Sequence, residues 1–457
     1  FPRAYQFCVQ PDYVLKVLAL PVVPDLGLLK TSPPAPLDGR RIQFSNGMSA
    51  NERHGCLSNW RRLGLDQVTR EAHPGTWVCT VVNNRADRIP RSQVFAEIMV
   101  NDIRVDRHFL IGNNLTGLLG YIREAWEESA ARLTLWPEQG TSAPVESLHN
   151  EARRLRCPTS FDQIHVTLRG LLASLLPSQT DRIDSILSGN ETADQLELAL
   201  QSTELTPEQI SALKRYYSEE LQVLNELEQF AQKIQATTEK QRATLDVEFR
   251  QLLWTWFERK LIVIPNYHAT GEQIIDRIRE ETPPGMLNHL IGLQNIKGTG
   301  LDFVYRWEAW SECHRLCERL LSREAAVSRQ AALELTSFRD FGLLSSEHVL
   351  ATVHAVRESS NTQREEVQAM LQQILSNLEV RMREVQGNLK QSNRRGGWRR
   401  KLLGWVESIL DANDALRRRK RANQIYKDLV SERISLERAA LELQKLTKRQ
   451  KGGWLTA

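Results

Sequence analysis

The sequence lacks a large excess of one charge, because its 60 Lys and Arg are balanced by 56 Asp and Glu. A net charge of +4 gives no chain-wide reason to expect a nucleic-acid partner. It also lacks an uninterrupted run of about eighteen apolar residues, so no membrane-spanning helix is expected. The six cysteines show no CxxC pair and no Cys/His pattern at zinc spacing, which predicts free thiols in a reducing cytosol and no protein metal site.

A signal peptide is not expected either, since no charged segment precedes an apolar stretch and a cleavage site. The chain opens at Phe1, and we interpret it as a fragment of a longer protein. Its 457 residues correspond to two to four domains at ordinary domain sizes. A hydrophobic content of 41% predicts cores of real size rather than disorder.

Short apolar runs alternate with helical stretches in the first part of the chain. The pattern predicts strands at 41–45, 77–82 and 108–111, and helices at 51–63, 91–103 and 115–126. The second strand, WVCTVV, is apolar without alternation, which is typical of a strand buried on both faces. This order predicts a parallel sheet in an α/β domain.

From 128 to 258 the pattern is helical throughout. Thr206 and Pro207 are typical of a helix start, and apolar residues then recur at spacings of three and four. Without Gly or Pro, this predicts one helix to residue 257, about 75 Å at 1.5 Å per residue. Such a helix needs a partner along its length, so we expect an antiparallel hairpin or a coiled coil.

The α/β pattern returns with strands at 261–264 and 290–293 and helices at 271–281 and 301–321. Amphipathic helices are then predicted at 367–389 and, returning, at 425–443. The sequence therefore predicts an α/β domain made of 1–127 and 259–322. A helical insertion of 128–258 would split this domain, and a helical extension of 323–457 would follow it.

Three polar loops follow predicted strands, at 46–52, 84–88 and 295–300. Ligands bind at the carboxyl ends of the strands in open parallel sheets, so loops on one edge would form a site. Such an edge would bring six charged side chains together: Arg85, Arg88, Arg91 and Lys297 with Asp87 and Glu52. Because guanidinium groups bind carboxylates and phosphates bidentately, the edge suits an anionic substrate.

The order of these loops resembles the ligase subunit of poly-γ-glutamate (capsule) synthase. FSNGMSANERHGCLSNWRRL (44–63) resembles its F-x-N-G-F-A-A-N-D-x-x-S-T-L-x-x-W pattern, and VVNNRADRIPRSQVFA (81–96) its N-x-R-A-D-R-x-x-R-x-x-x-F-A segment. FLIG (109–112) is similar to the L-I-G strand that follows, and IGLQNIKGTG (291–300) to the turn G-x-G-N-I-H-G. The resemblance covers residues 11–127 and 259–310.

The resemblance implies a Rossmann-like carboxy-terminal domain of the Mur-ligase type. In this family ATP, with Mg²⁺, phosphorylates a carboxylate, and the amine of an amino acid displaces phosphate to form an amide. The polymer would be glutamate linked through its γ-carboxylate. The implied substrate-binding residues are Arg85, Asp87, Arg88, Arg91 and Lys297. The residues implied to face the nucleotide are Asn46, Asn51, Glu52, Asn84 and Asn295.

The sequence departs from the family in several places. It contains no G-x-x-x-x-G-K-[ST] phosphate loop, which in the family belongs to the preceding ATPase domain. Lys297 replaces a family His, and Glu52 replaces an Asp. We therefore expect ATP and Mg²⁺ to be held mostly by a missing amino-terminal domain, and this chain alone to be inactive. No catalytic residue is assigned.

The basic segment 394–421 contains ten Arg or Lys against three acids, with Trp398 and Trp405 among them. It is interpreted either as a helical-hairpin tip packed on the domain or as an amphipathic helix on an anionic membrane. The expected partners are glutamate or another amino acid, a polyglutamate chain and membrane subunits of a capsule synthase. The expected location is the cytoplasmic membrane face or the cytoplasm. The alternative function is a helical scaffold or membrane-associated interaction protein with an idle Mur-like domain.

Overall fold

A single β-sheet organises the protein, for which a computed structural model describes residues 28–137, 143–189, 191–338, 340–358 and 365–392. The strands are β1 Ala35–Leu37, β2 Arg40–Asn46, β3 Thr76–Asn84, β4 Arg107–Gly112, β5 Leu261–Val263 and β6 Leu287–Leu293. Their order across the sheet is β1-β2-β6-β3-β4-β5. All neighbours from β2 to β5 are parallel, and β1 is antiparallel to β2. The expected α/β class is confirmed.

The antiparallel strand β1 was not predicted, and it makes the sheet mixed rather than wholly parallel. Its sequence, Ala-Pro-Leu, is short, and Pro is tolerated on an edge strand because no ladder hydrogen bond is needed from its nitrogen. Asp38 and Gly39 join β1 to β2 with φ values of 48° and 74°. An Asp-Gly pair with both residues at positive φ is the usual two-residue hairpin turn, so the signal was present in the sequence.

Fourteen α-helices lie within the described residues. Their bounds are α1 Arg53–Arg62, α2 Ile89–Asn101, α3 Leu115–Ala130, α4 Pro144–Arg154, α5 Phe161–Leu175, α6 Thr180–Leu187, α7 Ala193–Leu200, α8 Pro207–Ala236, α9 Arg242–Glu258, α10 Gly271–Glu281, α11 Thr299–Leu320, α12 Ala325–Ser337, α13 Ser346–Glu358 and α14 Glu365–Ser392. The helices and strands predicted around the sheet are confirmed to within a few residues at each end.

Helices cover both faces of the sheet, which explains the continuous apolar sequence of β3. Side chains alternate along a strand, so Trp77, Cys79 and Val81 face one way and Val78 and Val82 the other. The first face packs against α5–α8, α10 and α11. The second packs against α1–α4, α8 and α9. Full burial of one such side chain contributes about 1.5–3 kcal/mol, so the two clusters supply most of the packing energy around the sheet.

Helix α8 belongs to both clusters, because Leu213 and Tyr217 lie in the first and Leu227 and Phe230 in the second. The helices between 144 and 258 thus share their core with the sheet, and the described residues up to 379 form one compact unit. The domain boundaries at 127, 258 and 322 remain predictions.

The single helix predicted from Thr206 to residue 257 is wrong, although its start is confirmed. Thr206 caps α8 by accepting a hydrogen bond from the Gln209 backbone nitrogen. The helix then ends at Ala236, and Thr238 forms a second capping box with Gln241 before α9 begins. Threonine hydroxyls compete for backbone groups and favour a new helix start, so two adjacent threonines break the helix without Gly or Pro.

A third cluster joins the second half of α11 to α12, α13 and α14, as in Cys313, Leu335, Val353 and Leu371. The basic segment 394–421, the returning helix predicted at 425–443 and the resemblance before residue 28 lie outside the described residues. Within the described residues, every helix is too short or too polar to cross a bilayer.

Candidate functional site

Four parallel strands end side by side, and the residues that follow them form what we call the carboxyl edge. Asn46 ends β2 in register with Gly292 of β6, and Asn84 ends β3 in register with Gly112 of β4. The β6 chain continues past Leu293 into the turn of 294–298. The structure therefore brings the three polar loops 46–52, 84–88 and 295–300 to one edge.

Two asparagines join the loops after β3 and β6. The Asn83 amide donates to the backbone oxygens of Asn295, at 2.7 Å, and Lys297, at 2.8 Å. In return the Asn295 side-chain amide donates to the Asn83 backbone oxygen at 3.1 Å. Asn83 is 1% exposed and holds the turn in place. The sequence reasoning named its neighbour Asn84 and missed Asn83, although both sit at the end of the same apolar run.

A second network surrounds Asn84. Its side-chain oxygen accepts from the Ser92 hydroxyl at 2.7 Å and from the Gln294 amide at 3.0 Å. Its amide nitrogen donates to the Asn113 backbone oxygen at 2.8 Å. Gln294 is fully buried at a φ of 79°, unusual for a residue with a side chain. Asn84, implied to face a nucleotide, therefore uses its amide to connect β3, α2, β4 and β6.

Close packing at this edge requires glycine. Gly112 has a φ of 96°, and a Cβ built on it would lie 2.2 Å from the Asn84 backbone oxygen. A Cβ on Gly300 would lie 2.5 Å from the Asn83 amide nitrogen. Both contacts are shorter than any real carbon contact, so these glycines permit the hydrogen-bonded loops to approach each other.

Arg91 is fixed by these loops. Its guanidinium donates to the Asn295 side-chain oxygen at 2.6 Å and lies 3.5 Å from the Gln294 backbone oxygen. Burial lowers the pKa of Arg91, and the nearby positive charges of Arg88 and Arg85 lower it further. A guanidinium held by neutral oxygens keeps its charge available to an anion.

The loop before α2 concentrates positive charge. Arg85 donates twice to Asp87, at 2.9 and 2.7 Å, and this hydrogen bonding lowers the pKa of Asp87. Arg88 lies 3.6 Å from the same carboxylate, and its side chain is 53% exposed. Three arginines including Arg91 thus face one carboxylate, and the loop keeps an excess of positive charge.

Four helices begin at this edge: α1, α2, α3 and α11. None of their N-cap residues, Glu52, Arg88, Asn114 and Gly298, accepts a side-chain hydrogen bond from its helix. The first backbone N–H groups of a helix carry partial positive charge and bind anions. Together with the arginines, they give the edge the chemistry of a carboxylate or phosphate site.

The remaining predicted residues occupy different positions on the edge. Asn46 is buried at the end of β2, where its side-chain oxygen accepts from the Met48 nitrogen at 3.3 Å. Asn51, Glu52 and Lys297 are exposed. Within the described residues, Glu52 forms no hydrogen bond or ion pair with the arginines, so the expected cluster contains Asp87 but not Glu52 by direct contact.

Residues 33–163 match the family of the poly-gamma-glutamate synthase CapB C-terminal domain. The resemblance inferred from the motifs is therefore confirmed for that segment. The matched segment covers less than a third of the chain; it contains β1–β4 and the three arginines, but neither β6 nor Lys297. Comparison with curated proteins and with solved structures gave no match.

The described residues contain no group of three or more His, Cys, Asp or Glu side chains that could hold a metal ion. The five described cysteines are all buried free thiols, and Cys8 lies outside the described residues.

Proposed function

We propose that this chain is the carboxy-terminal part of an ATP-dependent ligase that joins glutamate into a γ-linked polymer. The observation that carries the proposal is the cationic loop of Arg85, Arg88 and Arg91. It lies at the carboxyl edge of a parallel sheet, inside the segment that matches the CapB C-terminal domain. Glutamate and polyglutamate are carboxylate-rich, and exposed guanidinium groups bind carboxylates bidentately.

The arginines have different roles in this proposal. Arg88 is exposed and binds a substrate carboxylate. Arg85 releases Asp87 and binds a second substrate carboxylate. Arg91, held by Asn295, provides a fixed charge behind them. The start of α2 adds the backbone N–H of Ile89 to the same anion, because Pro90 has no N–H and the Arg91 nitrogen donates to the Arg88 oxygen. Lys297, exposed in the neighbouring loop, contributes long-range attraction.

ATP supplies the phosphoryl group that activates the carboxylate. The arginines and the helix start suit a phosphate as well as a carboxylate, whereas the sequence contains no phosphate loop. Most of the ATP and Mg²⁺ contacts therefore belong to an ATPase domain joined to this one. Of the residues implied to face the nucleotide, Asn51 and Glu52 are exposed to meet it. Asn84 and Asn295 act indirectly, by holding the edge.

The proposal extends to partners. Glutamate is the first candidate for the incoming amino acid, and membrane subunits of a capsule synthase would receive the polymer. The basic segment 394–421 would bind an anionic membrane surface at the cytoplasmic face.

The test is ATP-dependent glutamate incorporation by the protein in its complete native form. Hydrogen bonds to charged groups contribute about 1.5–3 kcal/mol, so Arg88→Ala and Arg85→Ala should each lower kcat/KM by about ten- to a hundredfold. Arg182→Ala, on the exposed surface of α6, is the matched control and should act like the wild type. Wild-type rates in both edge variants would remove the proposed site. A folded complete protein without ATP turnover would favour the scaffold function instead.

A further inference from the structure

A polar cavity lies at the amino end of β3 and β4, opposite the carboxyl edge. It has a volume of about 340 Å³ and is lined by four arginines and three carboxylates. Small-molecule sites occupy about 300–1,000 Å³, so the cavity is large enough for a small ligand. One of its lining residues, Arg156, donates to the backbone oxygen of Thr76, the first residue of β3, so the cavity lies at the amino end of the strand. Strand β3 has nine residues, which separates the two sites by roughly 26 Å at 3.3 Å per residue.

Two of the arginines are structural. Arg156 donates to Asp106 at 3.0 Å and to the Val68 backbone oxygen at 2.7 Å. Arg70 pairs with Glu220, and its second nitrogen lies 3.3 Å from Asp106. Arg156 is 3% and Asp106 0% exposed. These buried pairs neutralise each other and form a rigid wall of the cavity.

The other two arginines have no acidic partner. Within the described residues, Arg104 makes no side-chain hydrogen bond or ion pair, and Arg153 donates only to the Asn150 side chain, at 3.1 Å. Both guanidinium groups line the same cavity. Two positive charges are therefore available to a carboxylate at this end of the sheet.

The carboxylates of the cavity also have few hydrogen-bond or ion-pair partners among the described residues. Asp66 has no hydrogen bond or ion pair among the described residues, and Glu71 accepts only from the Gln163 amide at 3.4 Å. One oxygen of Asp102 pairs with Arg53 at 2.8 Å, while the other is buried with no partner there. This second oxygen has almost no accessible surface, so Asp102 lines the cavity but is not counted among the groups that bind a ligand.

Opposite charges line one cavity and yet do not pair with each other. All four unpaired side chains, Asp66, Glu71, Arg104 and Arg153, are exposed and line one cavity that is large enough for a small ligand with both charges. A simple anion would satisfy the arginines only, and a simple cation the carboxylates only. We propose that the cavity binds a free α-amino acid, with its carboxylate on Arg104 and Arg153 and its ammonium group on Asp66 and Glu71. This site is separate from the carboxyl edge and does not require ligase activity.

Calorimetric titration of the full chain tests the site, with L-alanine as the probe because its small side chain avoids the glutamate preference proposed for the edge. L-Alanine should bind saturably with one molecule per chain. Propionate, which lacks the ammonium group, and ethylamine, which lacks the carboxylate, should each bind at least tenfold more weakly. Saturable binding of propionate with the affinity of L-alanine, or no L-alanine binding at tens of millimolar, would overturn the proposal.

Variants locate the binding. Arg104→Ala combined with Arg153→Ala should weaken L-alanine binding at least tenfold, and Asp66→Asn should weaken it several-fold. Thermal unfolding checks that these variants remain folded, and Arg182→Ala is the surface control. An equal loss in Arg88→Ala, without loss in the Arg104 and Arg153 double variant, would place the amino acid at the carboxyl edge and reject the cavity. Because binding is measured directly, failure here is distinct from failure of the ligase proposal.

Discussion

The two ends of the central sheet use the same residue types in opposite ways. At the amino end, Asp106 is 0% and Arg156 3% exposed, and the two charges pair with each other inside the protein. At the carboxyl edge, the side chains of Asp87 and Arg88 are more than half exposed. An ion pair removed from water is rigid and costly to break, whereas an exposed one exchanges partners easily. The buried pairs around Asp106 are therefore suited to holding the fold together, and the exposed charges of the carboxyl edge to binding ligands.

The amino end depends most on Asp106. Burial by itself would raise the pKa of this carboxyl, but Arg156, Arg70 and Lys260 together lower it to about 2. Its second role is to accept from the Val78 backbone nitrogen at 2.9 Å, which ties the start of β4 to β3. Arg70 and Arg156 come from outside these strands, so Asp106 connects the sheet to the loop and helix that cover its end.

The largest effect is expected for Asp106→Ala. Removing one partner of a buried ion pair costs about 3–5 kcal/mol, because the remaining arginines stay buried without a counter-charge. Urea unfolding monitored by circular dichroism measures the change in the free energy of unfolding. A loss below about 1 kcal/mol would mean that water reaches this end of the sheet and would remove the contrast with Asp87.

Gly112→Ala should be the next most damaging change and tests the carboxyl edge. A residue with a side chain in this left-handed region costs about 1–3 kcal/mol, and the new methyl group would also press against the Asn84 oxygen. The free energy of unfolding should fall by at least that amount. Gly64→Ala, also at positive φ but with open space around its Cβ, is the control that isolates the contact.

An effect that is absent at neutral pH and grows only as the pH falls is expected from His108 at the amino end. Burial lowers its pKa to about 3 from 6.5, and Lys260 adds to this; its ring lies 2.7 Å from the Thr80 hydroxyl. Between pH 6.5 and 3 the unfolded chain binds this proton and the folded protein does not, so stability falls as the pH falls. His108→Gln should reduce that slope by up to about 1.4 kcal/mol per pH unit. The free energy of unfolding is measured by urea unfolding across this pH range. If it depends on pH equally in the wild type and in His108→Gln, His108 is protonated in the folded protein.

The smallest effect is expected for Asp87→Ala, the exposed counterpart of Asp106→Ala. Arg85 and Arg88 lose a partner that water replaces, so the midpoint of thermal unfolding should not change measurably. A clear drop in this midpoint would mean that the carboxyl edge is as dependent on its ion pairs as the amino end.

Local patterns predicted most of the elements around the sheet. The run from Trp77 to Val82 is apolar because both faces of β3 are covered, and the periodicity of α10 and α11 reports their buried sides. The break at Thr237 and Thr238 was not predicted. The flanking residues favour a continuous helix, and only the capping hydrogen bonds end α8 and begin the next helix there. The place of β6 between β2 and β3 could not be predicted either, since strand pairing is decided by contacts distant in sequence.

The position of the three polar loops at one edge was predictable in outline for a related reason. Polar residues that end apolar runs must lie at one edge when the strands are parallel, which placed Arg85, Arg88 and Arg91 correctly on the β3 side. The partners within the edge were not predictable. The hydrogen bonds of Asn83 and Gln294 join residues about two hundred positions apart, and only the folded sheet brings them together.

The position of β6 also determines when this protein can fold. β2 and β3 belong to the matched segment 33–163, yet they are not neighbours, because residues 287–293 lie between them. A ribosome must therefore release more than a hundred further residues before the gap in the sheet can be filled. Until then the facing edges of β2 and β3 offer unpaired backbone groups to other chains. The matched segment thus contains two strands, β2 and β3, whose shared neighbour is made only later in the chain.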